Sequence, residues 1–525
     1  MHKIVIVGGG TAGWIAALFL ARRAPSLTGE PLDITLVESP DVAPVGVGEA
    51  TTPSLGLTLA AMDIDEHEFM RRCQATFKHG IRFEQWTRSP ADDPDEAYFH
   101  PFEHPARFGI EQLAHAWHRL PSSGRPAFAD VACVQTGLAR AGLAPKAFGD
   151  APYRGYVPYA YHLDAGLLAE FLSETAVAAG VTHLRQNVTN IDVASTGAIE
   201  SLHCDDGTVL EADLFIDCTG FRAMLINHDK TNTFSSVNDV LLCDRAIVTR
   251  QALTEGDPLL PYTRSQAQES GWIWDINLDT RRGIGYVYSS SHCSDDEAVE
   301  TLGRYVGVVA DDLDYRTLKM RCGYHQYHWR HNVVAIGLSS GFVEPLESTG
   351  IYLIEMATWM LGQLLPRYLS GSDISAQFNQ SMVRHYENIV DFIKAHYAFS
   401  RREDSAFWQD NRDPSSWTDG LIDLSERWKH DVPSDYDFEQ RIQCFSAANY
   451  QYVAYGMTEN SAAHIVGKPT GPLAPYIEDQ RRRQRQAQSQ LEPHRHYIDR
   501  IQQGGGKTAD RAITIPPSLN SYQLY

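Results

Sequence analysis

A glycine-rich turn set between an apolar strand and an apolar helix constrains this chain more than any other feature. Lys3 to Val7 is a short apolar run, Gly8-Gly9-Gly10-Thr11-Ala12-Gly13 satisfies GxGxxG, Trp14 to Arg23 is an Ala-rich apolar stretch, and Asp33 to Glu38 returns as a second strand. That order predicts a βαβ unit. The first glycine permits the tight turn, the next lets the backbone approach a pyrophosphate, and the last allows close helix packing over a positive helix N-terminus. Glu38 closes the second strand, where a carboxylate accepts hydrogen bonds from a ribose diol. A dinucleotide site on Gly8, Gly10, Gly13 and Glu38 is the expectation, with an ordinary glycine turn as the alternative.

The rest of the chain is consistent with a large α/β protein. At 525 residues with 43% hydrophobic content it can fill one large domain or two intimate ones. Forty-five basic against sixty-six acidic residues leave a net charge of -21, which opposes binding to nucleic acid or anionic lipid and favours small molecules. The eight cysteines form no CxxC pair and read as scattered thiols in a reducing compartment. No apolar run is long enough for an ordinary membrane span, and the first strand begins almost at Met1. The cytoplasm is the expected location, and a homodimer is left open.

Strand patterns recur at Thr182 to Ile191, Ser201 to Val209, Leu214 to Asp217 and Val333 to Ile336, predicting a mixed β-sheet beside the nucleotide fold. Ile351 to Leu365 is a strongly apolar, buried helix, followed by helical stretches rich in Trp and Tyr. The predicted division is a dinucleotide-binding, Rossmann-like α/β domain over 1–360 and a largely helical substrate subdomain with a tail over 361–525.

FAD is preferred to NAD because Asp217-Cys218-Thr219-Gly220 ends a later strand, as a similar segment does in many FAD-binding oxidoreductases. No second strand-GxGxxG-helix unit occurs, so reducing power is expected from outside, through a separate flavin reductase. Four segments in order then carry a specific resemblance: GGGTAGW (Gly8 to Trp14), VGVGEAT (Val45 to Thr51), the lysine of Phe77-Lys78-His79, and EPLESTGI (Glu344 to Ile351). Over roughly residues 1 to 460 the chain resembles the flavin-dependent tryptophan halogenases. Gly271-Trp272-Ile273-Trp274-Asp275-Ile276-Asn277 is similar to that family's WxWxIP motif, with Asn277 in place of the proline and its rigidity.

The resemblance implies that reduced FAD and oxygen oxidise a bound halide, chloride or bromide, to hypohalous acid, which crosses an internal tunnel to an aromatic ring. Confinement makes physical sense, since free hypohalite oxidises accessible Met, Cys and amines. Lys78 matches the catalytic lysine, acting as a hydrogen-bond donor or as a haloamine. Glu347 matches the glutamate beside it, placed to stabilise the cationic ring or take its proton. Thr349 and Gly350 match halide-binding backbone amides. Flavin contacts are implied at Ala12, Ser39, Val42, Val45, Val47, Ala50, Val188, Leu338 and Ile351, and substrate contacts at His100, Phe102, Tyr450, Tyr452 and Tyr455.

Plainer readings stand beside these. Alone, Lys78 reads as a surface lysine, Glu347 as a residue at a helix start, and Trp272 and Trp274 as core. His325, His328 and His331 suggest a polar strand or turn before a metal site, and no metal is expected. Gly337-Leu338-Ser339-Ser340 replaces the Gly-Asp of flavin hydroxylases, which disfavours a monooxygenase; a non-catalytic flavin carrier needs neither Lys78 nor Glu347. In Ala447 to Met457 the tyrosines are separated and no acidic residue follows before Glu459, so indole or an indole-bearing molecule is the expected substrate rather than free tryptophan.

Overall fold

The computed structural model describes residues 1–42, 48–105, 112–121, 123–254, 256–438, 443–457 and 473–504, and the counts below refer to these. Val45, Val47 and Glu459 lie outside them. Lys3–Val7 pairs in parallel with Asp33–Glu38 on one side and Leu214–Asp217 on the other. Thr182–Arg185 and Val333–Ala335 extend this sheet in parallel, and Trp329–Arg330 closes one edge antiparallel. The apolar runs of the central strands follow from their burial on both faces, one of them by the helix Thr11–Thr28, which packs on the helices Ala165–Ala178 and Thr349–Leu369.

Thr182 to Ile191 is not one strand. Its first half, Thr182–Arg185, joins the nucleotide sheet, whereas Val188–Val193 pairs antiparallel with Ile199–Cys204 in a separate small sheet. The apolar pattern is nearly continuous, so the break at Gln186 and Asn187 is set by two different pairing partners.

A second, seven-stranded sheet runs Arg316–Lys319, Arg245–Ala252, Arg281–Tyr288, Gly271–Asn277, Thr263–Gln268, Gly80–Glu84 and Ala97–Pro101. Between the sheets, Ala160–Asp164 pairs with both Gly48–Ala50 and Thr76–Lys78. That ribbon carries Gly48–Ala50 of the GEAT segment and Lys78 on the two strands that flank Ala160–Asp164. The helix Thr349–Leu369 runs through residue 360, and one hydrophobic core takes in Ile4, Trp14 and Leu36 together with Tyr386, Phe392 and Tyr497.

Among the described residues no helix is long and apolar enough to cross a membrane. All eight cysteines are free thiols.

Candidate active site

Lys78 ends a strand with no solvent exposure, Thr76, Phe77 and Lys78 all being buried. Its Nζ donates to the Thr51 carbonyl and to Ser348 Oγ, each over 3.0 Å. The same nitrogen lies 5.3 Å from the centre of the Phe102 ring. An ammonium has three N–H donors, so the two bonds leave one uncommitted. Burial pushes the amine down to about 7, although the nearby Glu347 carboxylate opposes this. A surface position is thereby ruled out for Lys78.

Ser348 adopts φ 62, ψ 38, a left-handed conformation rare for a residue with a side chain, at the N-cap of Thr349–Leu369. Its hydroxyl makes no capping bond to the helix because it is turned to Lys78 instead. The first amides of a 21-residue helix, those of Thr349 and Gly350 among them, therefore start without a side-chain cap. A Cβ built on Gly350 meets nothing within 4 Å, and Thr349 Oγ1 is buried with no partner. Open space, an orphaned hydroxyl and a positive helix terminus suit a small anion such as halide.

Glu347, on the turn just before that helix, accepts from His100 Nδ1 at 3.0 Å and from His396 Nε2 at 2.9 Å, both on Oε1. Burial alone raises a carboxylate, but the positive charge of the His100 imidazole at the acid pH where a carboxyl titrates, with the hydrogen bonds from His100 and His396, outweighs it and holds Glu347 at about 2. It is ionised across the working pH range. The nitrogens and the carboxylate oxygen lie within 4.8 Å of one another, close enough to suggest a metal. Asn449 Nδ2 donates to His100 Nε2 at 3.0 Å, however, so His100 carries its hydrogen on Nδ1 and has no lone pair there for a cation. The histidines at 325, 328 and 331 form no such cluster. His328 instead stacks on Tyr386 and bonds Ser340 Oγ at 2.6 Å.

The glycine turn fits a dinucleotide. Gly8 has φ +118, and a Cβ there would lie 2.2 Å from the Cys218 carbonyl; one on Gly13 would lie 1.9 Å from the Gly8 carbonyl. Gly10, the N-cap of Thr11–Thr28, has no side chain to cap the helix, and a Cβ there meets nothing within 4 Å. These features leave helix amides facing an open cradle. Glu38 lies beside Gly9 and accepts from His183 Nε2 at 2.9 Å. Asp217 organises its own turn, accepting from the backbone of Thr219, Leu225 and Ile226. Gly337 packs on Ala12 and precedes the half-exposed Leu338, so this loop borders the same cradle.

The remaining expected contacts divide. Ile351 is buried on the helix that starts at Thr349, and Ala50 lies on the strand paired to His162, both close to the Lys78 ribbon. Ser39 bonds Asn187, Val188 starts the small sheet, and Val42 is exposed. Tyr452 lies 6.0 Å from the His100 ring and donates to the Glu103 carbonyl. Tyr450 is enclosed by Phe392, Trp428 and Phe438, whereas Tyr455 packs on Trp117, His118 and Phe128 in a separate cluster. Trp272 and Trp274 have ring centres 6.2 Å apart, and Trp272 donates to Glu344 Oε1 at 3.2 Å. Asn277, where the motif has proline, bonds the Pro258 carbonyl through its amide and accepts from Thr76 Oγ1 at its own carbonyl. A hydrogen bond thus ties the end of the WxWxI strand to the first residue of the strand that Lys78 ends.

The tryptophan halogenase family profile matches residues 3–467. The chain belongs to the tryptophan halogenase family. It is 36% identical over 454 residues to the tryptophan 6-halogenase of Streptomyces toxytricini, covering 82% of this chain and 84% of that one. It is also 36% identical over 427 residues to the tryptophan 7-halogenase of Lentzea aerocolonigenes, covering 79% of each. A solved tryptophan halogenase from Shewanella frigidimarina superposes with a TM-score of 0.90 at 38% identity, covering 97% of this chain and 99% of that one. These relatives are enzymes, and so is this halogenase.

Sequence motifs point to Lys78, Glu347, Thr349 and Gly350, and the fold brings them together. Thr51 and Ser348 lie inside quoted motifs but are not singled out by them. His396, Asn449 and the Phe392 carbonyl have no motif at all, because a helix histidine or asparagine shows its purpose only through what it touches.

Proposed function

We propose that this enzyme halogenates an indole-type aromatic ring, using reduced FAD, oxygen and chloride or bromide. Bound reduced flavin supplies the electrons that, with oxygen, convert halide to hypohalous acid. Gly8, Gly10, Gly13 and Glu38 hold the dinucleotide, and Ala12 and Leu338 border it. Thr349 and Gly350 amides hold the halide at the helix terminus. Lys78 donates its free N–H to hypohalous acid, drawing electrons from oxygen and making the halogen electrophilic. The ring carbon attacks halogen, the O–X bond breaks, and the oxygen leaves as hydroxide. Glu347 stabilises the cationic ring and takes its proton, and that proton and hydroxide form water. His100, Phe102 and Tyr452 surround the ring, which contacts their apolar faces.

The single observation that carries this reading is the meeting of Lys78, Ser348 and Glu347 at an uncapped helix terminus. Reduced flavin arrives from a separate reductase. Protein, FAD, a flavin reductase, NADH and either halide, offered a panel of indoles, should give products heavier by a halogen. A gain of oxygen instead would indicate a monooxygenase, and flavin oxidation with no product a carrier.

A further inference from the structure

His100 and His396 donate to the same oxygen of Glu347, yet the groups behind them are opposite in kind. Behind His396, Nδ1 lies 2.9 Å from the Phe392 carbonyl, an acceptor. Both nitrogens of His396 therefore face oxygen acceptors, and both carry hydrogen. Behind His100, Nε2 lies 3.0 Å from the Asn449 amide nitrogen, a donor. The amide cannot be reversed freely, because its oxygen accepts the Ser446 backbone N–H at 2.8 Å and the Ser446 hydroxyl at 3.1 Å. A backbone N–H only donates, so it fixes which end of Asn449 is oxygen.

We infer that Asn449 is a positioning residue that keeps His100 neutral, in the form hydrogenated on Nδ1 alone. The inference rests on the halogenation reading. With His100 neutral, the Glu347 charge is balanced once, by His396, and not twice. The ring passes through a cation during halogenation, and a second positive imidazole against it would raise its energy. Asn449 thus acts at a distance from the ring, through the side chain that touches it. The other groups facing His100 are Tyr98 two residues back on its strand, His104 beyond it, Glu347 before the halide helix, His396 from Ser375–Ala398 and Tyr452 from Ala447–Met457. Asn449 is the group placed 3.0 Å from His100 Nε2.

The test is Asn449→Asp. Aspartate preserves the acceptor that Ser446 needs, so the helix start is kept, but it presents oxygen to Nε2 and draws a second proton onto His100. Its own negative charge sits on the far side of the imidazole from the substrate. Halogenated product per FADH₂ consumed should fall at least about tenfold at pH 7, with FADH₂ oxidation unchanged. Yield should recover at higher pH, its acid limb moved up by about one unit or more. In a His100→Gln background the same change should alter yield less than about twofold. Product formation by the parent enzyme establishes the underlying reading separately. An unmoved profile in Asn449→Asp, or an equal drop in the His100→Gln background, overturns the assignment. Nitrogen NMR of histidine-labelled parent enzyme decides it even if Asn449→Asp fails to fold. The resonance lost in His100→Gln should show hydrogen on Nδ1 alone, and a doubly protonated or Nε2-protonated ring refutes the inference.

Discussion

Trp272 donates its indole N–H to Glu344 Oε1 over 3.2 Å, tying the WxWxI strand to the EPLESTG loop. Tyr397 donates to the same oxygen at 2.5 Å, while Oε2 is buried without a partner. Burial pushes the Glu344 carboxyl up to about 7. Trp272→Phe keeps most of the packing and removes one donor from a buried acid that already lacks one. Unfolding in denaturant should show a loss of about 1–3 kcal/mol, and a smaller change than about 0.5 kcal/mol would mean that the indole N–H carries no weight.

Lys78→Ala should abolish halogenation while FADH₂ oxidation continues, because the lysine acts after the oxidant forms. Glu347→Gln should slow halogenation at least about tenfold, or about 1.4 kcal/mol of barrier. It keeps the shape but loses the charge that faces the cationic ring. Product and flavin oxidation, followed in parallel on folded variants, check both; halogenation at the parental rate removes the assigned role.

The buried Lys78 also makes a prediction for stability. Its folded pKa, about 7, is below the unfolded value near 10.4. Between these the unfolded chain binds a proton that the folded one does not, so stability rises with pH. The contribution is present above the unfolded pKa and lost as pH falls through about 7. Lys78→Met removes this term, which is no more than about 5 kcal/mol. The melting temperature of the variant relative to the parent should therefore be more favourable at pH 7 than at pH 10. A constant difference across that range would show that Lys78 is not desolvated.

Free L-tryptophan should be a poorer substrate than indole or an indole without the zwitterion. Tyr452 has its hydroxyl committed to Glu103, Tyr450 is enclosed by aromatic rings, and Tyr455 packs in a separate cluster, so none of the three offers a charge to an ammonium. Stacking gains roughly 0.5–1.5 kcal/mol, whereas an unpaired buried charge costs several. kcat/KM for indole and L-tryptophan under one supply of halide and flavin decides this, and a clear preference for tryptophan defeats it.

Local chemistry was enough to read the nucleotide half from the sequence. Gly13 is required by its contact with Gly8 inside the turn and Gly8 by its positive φ, while Gly10 leaves the helix amides open, and the strands on either side of them show their burial as apolar runs. EPLESTG likewise announces a helix terminus, since Thr349 and Gly350 are neighbours in the chain. The strand break at Gln186 was not legible, because pairing partners and not local pattern separate its two halves. The Glu347 environment was decided wholly by tertiary structure. His100, His396 and Asn449 meet across separations of 247, 49 and 349 residues, and their protonation depends on whether a donor or an acceptor stands behind each ring. Hydrogen-bond direction is a property of the contact, and no residue carries it alone.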